Sequence, residues 1–507
     1  MKHLKKSIVC FLAGIMTLGC VGCVSNETQN DSSFSDIPTE GMPVYTDSTL
    51  QFDFYGYQGP TNGSYNEYGE SFYSGQDFRT VERFKEYKDA GMTQYLLTEP
   101  AFSAGSSWET SETKQIYDKI YEAGIKEIYI QDTRLSFKSK IEGGIVGEGK
   151  EFATEADLDA YVADCLSDYQ HVDGLGVHIG DEPVYDVLEC YGQMYRSIKR
   201  VAPDMEIHAN VLPMITNLSS GFWGTLSEEE TEGLTNDEIR EETYKRYINK
   251  YLDETQAEYL QYDQYPMAES TIYPTYMRCL QINAEICRDR GIDLKVVTQT
   301  CAYNQNGGEF LRVISEEDAR WLNNMLVGYG VKGISYFNYW RKTENNQHEF
   351  FKDGASFITS NGQKTPIYTF MQQIMKEEQQ FAPTVLNFEY SDSAIYKVAP
   401  LKFVAAHVGR YVNGSFKKIT DVSVNKEIVL VTELFDKDQD QYMYMIQNII
   451  DPINKGSKAY QTTTVTFAAE YDYAVVWERG ESRLVKLDNH TFTVKQHPGD
   501  AVYVMPY

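Results

Sequence analysis

The sequence is poor in cysteine, in positive charge and in long apolar runs, and each shortage excludes something. Of its eight cysteines, only Cys165, Cys190, Cys279, Cys287 and Cys301 lie beyond the first 23 residues. Cys279 and Cys287 fall on one predicted helix, eight residues or roughly 12 Å apart, too far for a disulfide. The odd count and scattered spacing fit neither a disulfide framework nor a zinc site, and buried free thiols are expected. Lys and Arg number 46 against 74 Asp and Glu, a net charge of −28. A chain this acidic is repelled by phosphate backbones, so nucleic acid is excluded as a partner. The one apolar run, Ile8 to Leu18, follows Lys2, His3, Lys5 and Lys6. It is too short to span a bilayer and reads as a secretory signal.

That signal ends in Gly19-Cys20-Val21-Gly22-Cys23, which resembles the lipobox of bacterial lipoproteins. Cys23 is the expected lipidation site and Cys20 the alternative. Acyl chains on that cysteine would hold the protein stably on a membrane. Residues 24–47 are rich in Ser, Asn, Thr, Asp and Pro and read as a tether. The remaining stretch of about 460 residues exceeds one typical domain.

A short pattern recurs four times at the ends of predicted helices: Gly91-Met92-Thr93, Gly124-Ile125-Lys126, Gly291-Ile292-Asp293 and Gly330-Val331-Lys332. Glycine past a helix closes its last turn in the left-handed conformation, and the next residues enter a strand. Eight strands are predicted to begin near Gln51, Gln94, Glu127, Gly174, Glu206, Glu258, Leu294 and Gly333. The fold class expected is α/β, a (β/α)8 TIM barrel over residues 48–385. An open doubly wound sheet is disfavoured because no Gly-rich phosphate turn follows the first strand. The last barrel helix is expected from Thr365 to Gln380. Beyond Pro383, Tyr442–Ile450, Thr462–Phe467, Tyr473–Trp477, Thr491–Val494 and Ala501–Met505 read as strands of a C-terminal antiparallel β domain, residues 386–507. Asp436-Lys437-Asp438-Gln439-Asp440 begins like a calcium loop. It has Gln441 where Gly is needed and Gln447 where Glu is needed, and reads as a hairpin turn. No metal or cofactor site is expected.

Asp181-Glu182-Pro183 closes the fourth strand, Gly176 to Gly180, at the end where such barrels carry their chemistry. Glu182 is the candidate proton donor, with Asp181 supplying a negative charge that raises its pKa. A purely structural role, capping the next helix with Pro183 in its first turn, is compatible with it. Asp263 after strand six is the candidate second carboxylate. At the same face Asp132 and Arg134, Asn210, Tyr265 and Gln299 are candidate substrate contacts, with Glu99 nearby. Trp223 and Trp340, with Trp108, are candidate sugar platforms, while Trp321 reads as core.

His178-Ile179-Gly180-Asp181-Glu182-Pro183, Tyr262-Asp263-Gln264-Tyr265-Pro266 and Ile334-Ser335-Tyr336-Phe337-Asn338-Tyr339-Trp340 resemble glycoside-hydrolase-like barrels related to clan A and the family 42 β-galactosidases. The resemblance covers residues 48 to 385. It implies a carbohydrate substrate and Glu182 as the acid/base, with Asp181 replacing the usual Asn. It also implies a nucleophilic Glu at the end of strand seven, where this chain has Thr298-Gln299-Thr300-Cys301; the nearest carboxylate is Glu309. Three readings remain open. Asp263 acts as base or nucleophile; Asp181-Glu182 work as in family 20 hexosaminidases, with the substrate's acetamido group as nucleophile; or the barrel is a carbohydrate-binding lipoprotein without turnover.

If the lipobox is used, replacing Cys23→Ser together with Cys20→Ser moves the protein from the membrane to the soluble fraction. Equal membrane association of the double variant and the parent, followed by immunoblotting, contradicts the anchor.

Overall fold

The computed structural model describes residues 37–507 apart from 63–75, 106, 137–142, 216–220, 304–309, 342–351, 353, 398–414, 427 and 456–459. Cys20, Cys23 and Glu309 lie outside the described residues. Among the described residues no helix is long and apolar enough to cross a membrane.

Eight strands alternate with helices in the first part of the chain. They are β1 (Asp53–Gly56), β2 (Gln94–Phe102), β3 (Glu127–Asp132), β4 (Leu175–Asp181), β5 (Ile207–Asn210), β6 (Tyr259–Asp263), β7 (Asp293–Gln299) and β8 (Gly333–Phe337). All pairings are parallel, in two four-stranded sheets of order β1-β8-β7-β6 and β2-β3-β4-β5. The eighth strand pairs with the first, Asp53 opposite Gly333. Two short links span the seams between the sheets. Val211, just past β5, bridges Tyr262 in parallel fashion, and its N–H donates to Gln261 O at 2.9 Å. At the other seam the Thr93 N–H donates to Phe54 O at 2.8 Å.

The helices of this part are α1 (Val81–Asp89), α2 (Glu112–Glu122), α3 (Glu155–Leu166), α4 (Leu188–Val201), the single turn α5 (Glu228–Thr231), α6 (Asn236–Thr255), α7 (Tyr276–Arg290), α8 (Glu316–Gly328) and α9 (Pro366–Val385). Side chains of Thr80, Ser111, Thr154, Thr235, Ser315 and Thr365 cap α1, α2, α3, α6, α8 and α9, each cap being worth about 1 kcal/mol. Gly91, Gly124, Gly291 and Gly330 all take positive φ, as the turn into the following strand requires. Helix α9 runs past the expected end at Gln380 to Val385. It carries Pro383 in its last turn, where the proline costs one backbone hydrogen bond.

The C-terminal part is antiparallel. One sheet has the order β15-β14-β17-β12-β11-β9 and the other β10-β13-β16, where β9 is Glu389–Lys397, β10 Ile419–Val424, β11 Ile428–Asp436, β12 Gln441–Asn448, β13 Gln461–Phe467, β14 Tyr473–Glu478, β15 Glu481–Lys486, β16 Thr491–Gln496 and β17 Ala501–Pro506. Val429, Val431, Tyr444, Ile446, Val465 and Phe492 build an apolar core from both sheets. Asp436 opposes Gln441 across a hairpin turn, which accounts for the charged run there.

The six-stranded sheet uses its other face against α8 and α9. Leu430, Met443 and Met445 belong to the same apolar cluster as Leu326 and Met375, and a Cβ on Gly328 would clash with the Met445 sulfur. Within the span read as tether, Tyr45 donates to Asp436 Oδ2 at 2.9 Å and packs on Phe388. All five described cysteines are buried thiols.

A buried ion network pins the two parts. Arg312 Nη2 lies 2.5 Å from Asp318 Oδ1 and 2.7 Å from Asp451 Oδ1, and all three residues are 5% exposed or less. Removing one partner strands a buried charge. Asp451→Ala is therefore expected to lower unfolding free energy by about 3–5 kcal/mol in urea titrations; a loss below about 1 kcal/mol, the scale of an exposed pair, contradicts this role.

Candidate active site

The site is built where β4, β5 and β6 end together. In the β4–β5 ladder His178 pairs with His208, the register then shifts, and Gly180 pairs with Ala209 and Asp181 with Asn210. Such an irregularity re-aims the side chains beyond it. Gly180 has a φ of +147°, and its carbonyl accepts the Tyr191 hydroxyl. Glu182 follows at a φ of +49°, a conformation that a non-glycine residue enters at a cost. It is held there by its N–H, which donates to Asn210 O at 2.8 Å. The Tyr247 hydroxyl secures the next turn by donating to Pro183 O at 2.6 Å.

Asp181, Glu182 and Asp263 converge. The Asn210 amide Nδ2 donates to Asp181 Oδ1 at 3.0 Å and to Asp263 Oδ1 at 2.8 Å. Its Oδ1 is buried without a partner, leaving an acceptor for a ligand. The Tyr265 hydroxyl and the Glu182 carboxyl also hydrogen-bond Asp263. Tyr265 stacks on Phe337 at 5.3 Å, forming a wall of the site.

Glu182 as a residue is open to solvent, while its carboxyl is packed about by other atoms. The atoms packed about its carboxyl raise its pKa, with the negative charges of Asp263 and then Asp181 adding to the rise. The pKa of buried Asp263 is also raised, by burial and by the Asp181 charge, against the hydrogen bonds from Asn210, Tyr265 and Glu182 that lower it. In the Glu182–Asp263 contact Glu182 is the proton donor and Asp263 the acceptor. Two carboxyl groups in contact share one proton and titrate as a pair.

Other expected contacts serve the fold instead. Asp132 is fully buried and accepts Arg134 Nη2 at 2.7 Å and the Tyr169 hydroxyl at 2.8 Å. Arg134 also donates to Asp168 and to Cys165 O, so the pair latches β3 to α3. Gln299 accepts the Met267 N–H and donates to the carbonyls of Met267, Cys301 and Arg312, which saturates its amide. The indoles are core. Trp223 is 1% exposed, edge-on to Tyr244. Trp340 is 3% exposed, against Phe78, and Trp108 is 2% exposed, among Phe102, Tyr117 and Tyr169. None offers a free face to a sugar. Trp321 is core, as expected. Among the described residues no group of three or more His, Cys, Asp or Glu side chains could hold a metal ion.

No protein-family model matches the sequence, and no curated protein does. Several solved structures resemble it. A family 27 β-L-arabinopyranosidase from Geobacillus stearothermophilus aligns at TM-score 0.44 and 10% identity over 90% of this chain and 96% of that one. A family 5 glycoside hydrolase from Bacteroides vulgatus aligns at 0.43 and 12% over 90% and 88%. A β-galactosidase from Bacillus circulans aligns at 0.42 and 10%, over 68% of this chain and only 58% of its own length. Likenesses at this level carry no argument about the site, which rests on its own geometry.

Sequence reading missed the layer beneath the carboxylates. Tyr55 and Tyr57, two residues apart and so on one face of the chain where it leaves β1, and His208 on β5 all point to the interior. The alternation of polar residues in strands that should be apolar was the signal available.

The raised pKa of Asp263 has a consequence for stability. Its folded value exceeds the unfolded one near 3.9, so the folded state holds the proton more tightly. This contribution is neutral below the unfolded value and turns against folding as pH rises toward the folded value, by at most about 1.4 kcal/mol per unit. Asp263→Asn is thus expected to match the parent near pH 4 and to exceed it in melting temperature near pH 7. A difference independent of pH contradicts the raised value.

Proposed function

We propose that this chain is a glycoside hydrolase in which Glu182 is the general acid. The observation that carries the reading is the hydrogen-bonded Glu182–Asp263 pair at the ends of β4 and β6, with Glu182, the solvent-open member, holding the proton. A carboxyl kept protonated by burial and neighbouring negative charge is the equipment for protonating a glycosidic oxygen near neutral pH. In that step the Glu182 proton passes to the bridging oxygen. The bond from that oxygen to the anomeric carbon breaks with its electron pair leaving on the oxygen, and water finally adds to the anomeric carbon, its proton passing to the Glu182 carboxylate, which restores the acid. Asn210, through its unpartnered Oδ1, and Tyr265 are the sugar contacts in this reading. The two sheets are taken as halves of one closed (β/α)8 barrel, which the links at Val211 and Thr93 favour. The protein is taken to be secreted and lipid-anchored through Cys23.

A second reading concerns the attacking group. Carboxyls in contact are closer than the roughly 5–5.5 Å of retaining pairs or the 6.5–9.5 Å of inverting ones. Asp263 therefore lacks the gap that a sugar or water needs between it and Glu182. Asp181, adjacent to Glu182 and held by Asn210, is available to accept the N–H of a substrate acetamido group. That would turn its carbonyl oxygen onto the anomeric carbon, as in substrate-assisted hydrolysis.

Release of nitrophenol from aryl hexosides and aryl N-acetylhexosaminides tests both readings. Hydrolysis that falls by about 10²–10⁴-fold in Glu182→Gln is expected. Turnover confined to N-acetylhexosaminides selects the assisted route. Sugar binding without turnover by the parent, unaltered in Glu182→Gln, contradicts the hydrolase.

A further inference from the structure

The parallel sheet β1-β8-β7-β6 brings a second set of polar groups to the edge at which β6 delivers Asp263. Just past β1 stands Gln58, half-buried, with a φ of +56°. Glycine takes that conformation freely, and other residues enter it at a cost. Backbone bonds to the segment after β8 hold the chain there. The Trp340 N–H donates to Gln58 O at 2.9 Å, and the Tyr339 N–H donates to Tyr57 O at 2.8 Å.

The side chain is fixed as well. Asn338, fully buried just past β8, gives its Nδ2 to Gln58 Oε1 at 2.7 Å and to Trp340 O at 2.8 Å. Its Oδ1 accepts the Ser356 hydroxyl, and its carbonyl accepts Thr300 Oγ1 at 3.0 Å. These contacts decide which way both amides point. Trp340 O can only accept, so the Asn338 atom facing it is the nitrogen. That nitrogen needs an acceptor for its second hydrogen, so the Gln58 atom facing it is the oxygen. Gln58 Nε2 is thereby turned away from Asn338. Among the described residues no acceptor takes its hydrogens, and it is not buried from solvent. The oxygen end of this side chain serves the fold. The nitrogen end is a donor held still in advance, which lowers the cost of engaging a ligand.

The surroundings decide what such a donor meets. Phe337, the last residue of β8, is half-buried, and its ring stacks at 5.3 Å on Tyr265, two residues past Asp263. Tyr57, next to Gln58, meets Phe337 edge-on at 6.1 Å. One aromatic wall thus runs from Gln58 to the carboxylates. Asp181, Glu182 and Asp263 concentrate negative charge at its far end, which repels an anionic sugar. A neutral donor beside an apolar wall suits a neutral sugar, whose hydroxyl oxygens accept.

We propose that Gln58 is a specificity-determining residue of this site, its Nε2 donating to a hydroxyl oxygen of a neutral sugar seated against Phe337. The proposal rests on the reading of the site as that of a glycoside hydrolase. It adds a donor that ionised carboxylates, which only accept, do not supply.

The test uses the full chain with D-glucose, D-galactose and N-acetyl-D-glucosamine, whose binding is measured by calorimetry. The 4-nitrophenyl glycosides of the same sugars give KM. Gln58→Met removes the donor without adding charge, and Asn338 keeps its bond to Trp340 O. It is expected to raise Kd and KM about tenfold for the sugar the parent prefers, the scale of one hydrogen bond. Gln58→Glu keeps the oxygen that Asn338 holds and loses only the donor. It is expected to shift both constants in the same direction, and it stands in if Gln58→Met does not fold. Values within about twofold of the parent in either folded variant overturn the proposal; if Glu182→Gln still abolishes turnover, the hydrolase survives that result. Weakened sugar binding in the variants of a parent that cleaves none of the glycosides keeps Gln58 as a recognition residue and overturns the hydrolase. A parent that neither binds nor cleaves any of these sugars overturns both.

Discussion

The two hydrogen bonds that Asn210 Nδ2 gives to Asp181 and Asp263 hold the candidate site in one piece. They tie the ends of β4, β5 and β6, and the Asn210 carbonyl fixes the left-handed backbone of Glu182 from the same residue. Without that amide, Asp181 and Asp263 would face each other with like charge and little water between them, at an energetic cost that grows as the local dielectric falls. The irregularity in the β4–β5 ladder belongs to the same constraint. It turns the chain so that consecutive residues, Asp181 and Glu182, both reach the cluster instead of pointing to opposite faces.

This concentration of negative charge opposes folding, and the surrounding structure offsets it. The helix caps, the apolar cluster shared by α8, α9 and the six-stranded sheet, and the Arg312 network supply that offset. The C-terminal sheets thus serve as a brace, covering α8 and α9. Strain and raised carboxyl pKa values at the strand ends, set against a well-packed remainder, are the usual division between a site and its scaffold.

Much of the fold was legible in the sequence because its signals are local. The four glycine turns and the apolar runs placed each of the eight parallel strands within a few residues. β9, β10 and β15 went unread because they are edge strands, β15 also being broken by charge at Arg483 and Lys486, and β11 because an internal strand buried on both faces shows no alternation. In the site, Asp181, Glu182, Asp263, Asn210 and Tyr265 come together because a residue at a strand end has little choice of direction. Trp108, Trp223 and Trp340 were misplaced by the same logic. Residue type marks an indole as a sugar platform, but its large apolar area draws it into whatever core lies within reach. Asp132–Arg134 and Gln299 failed because a loop near a site also has backbone groups to satisfy. The histidine–tyrosine layer was hidden because pairing across the interior depends on register between distant strands, which one sequence does not display.

The central claim is that one proton lies between Glu182 and Asp263 and belongs to Glu182. A neutron crystal structure of the deuterium-exchanged protein at neutral pH measures this directly. The account predicts nuclear density for a single deuteron on a Glu182 carboxyl oxygen, directed at Asp263, with none on Asp263. Two bare carboxylates, each bound to its own water and separated by more than about 5 Å, the spacing of a conventional retaining pair, would contradict it.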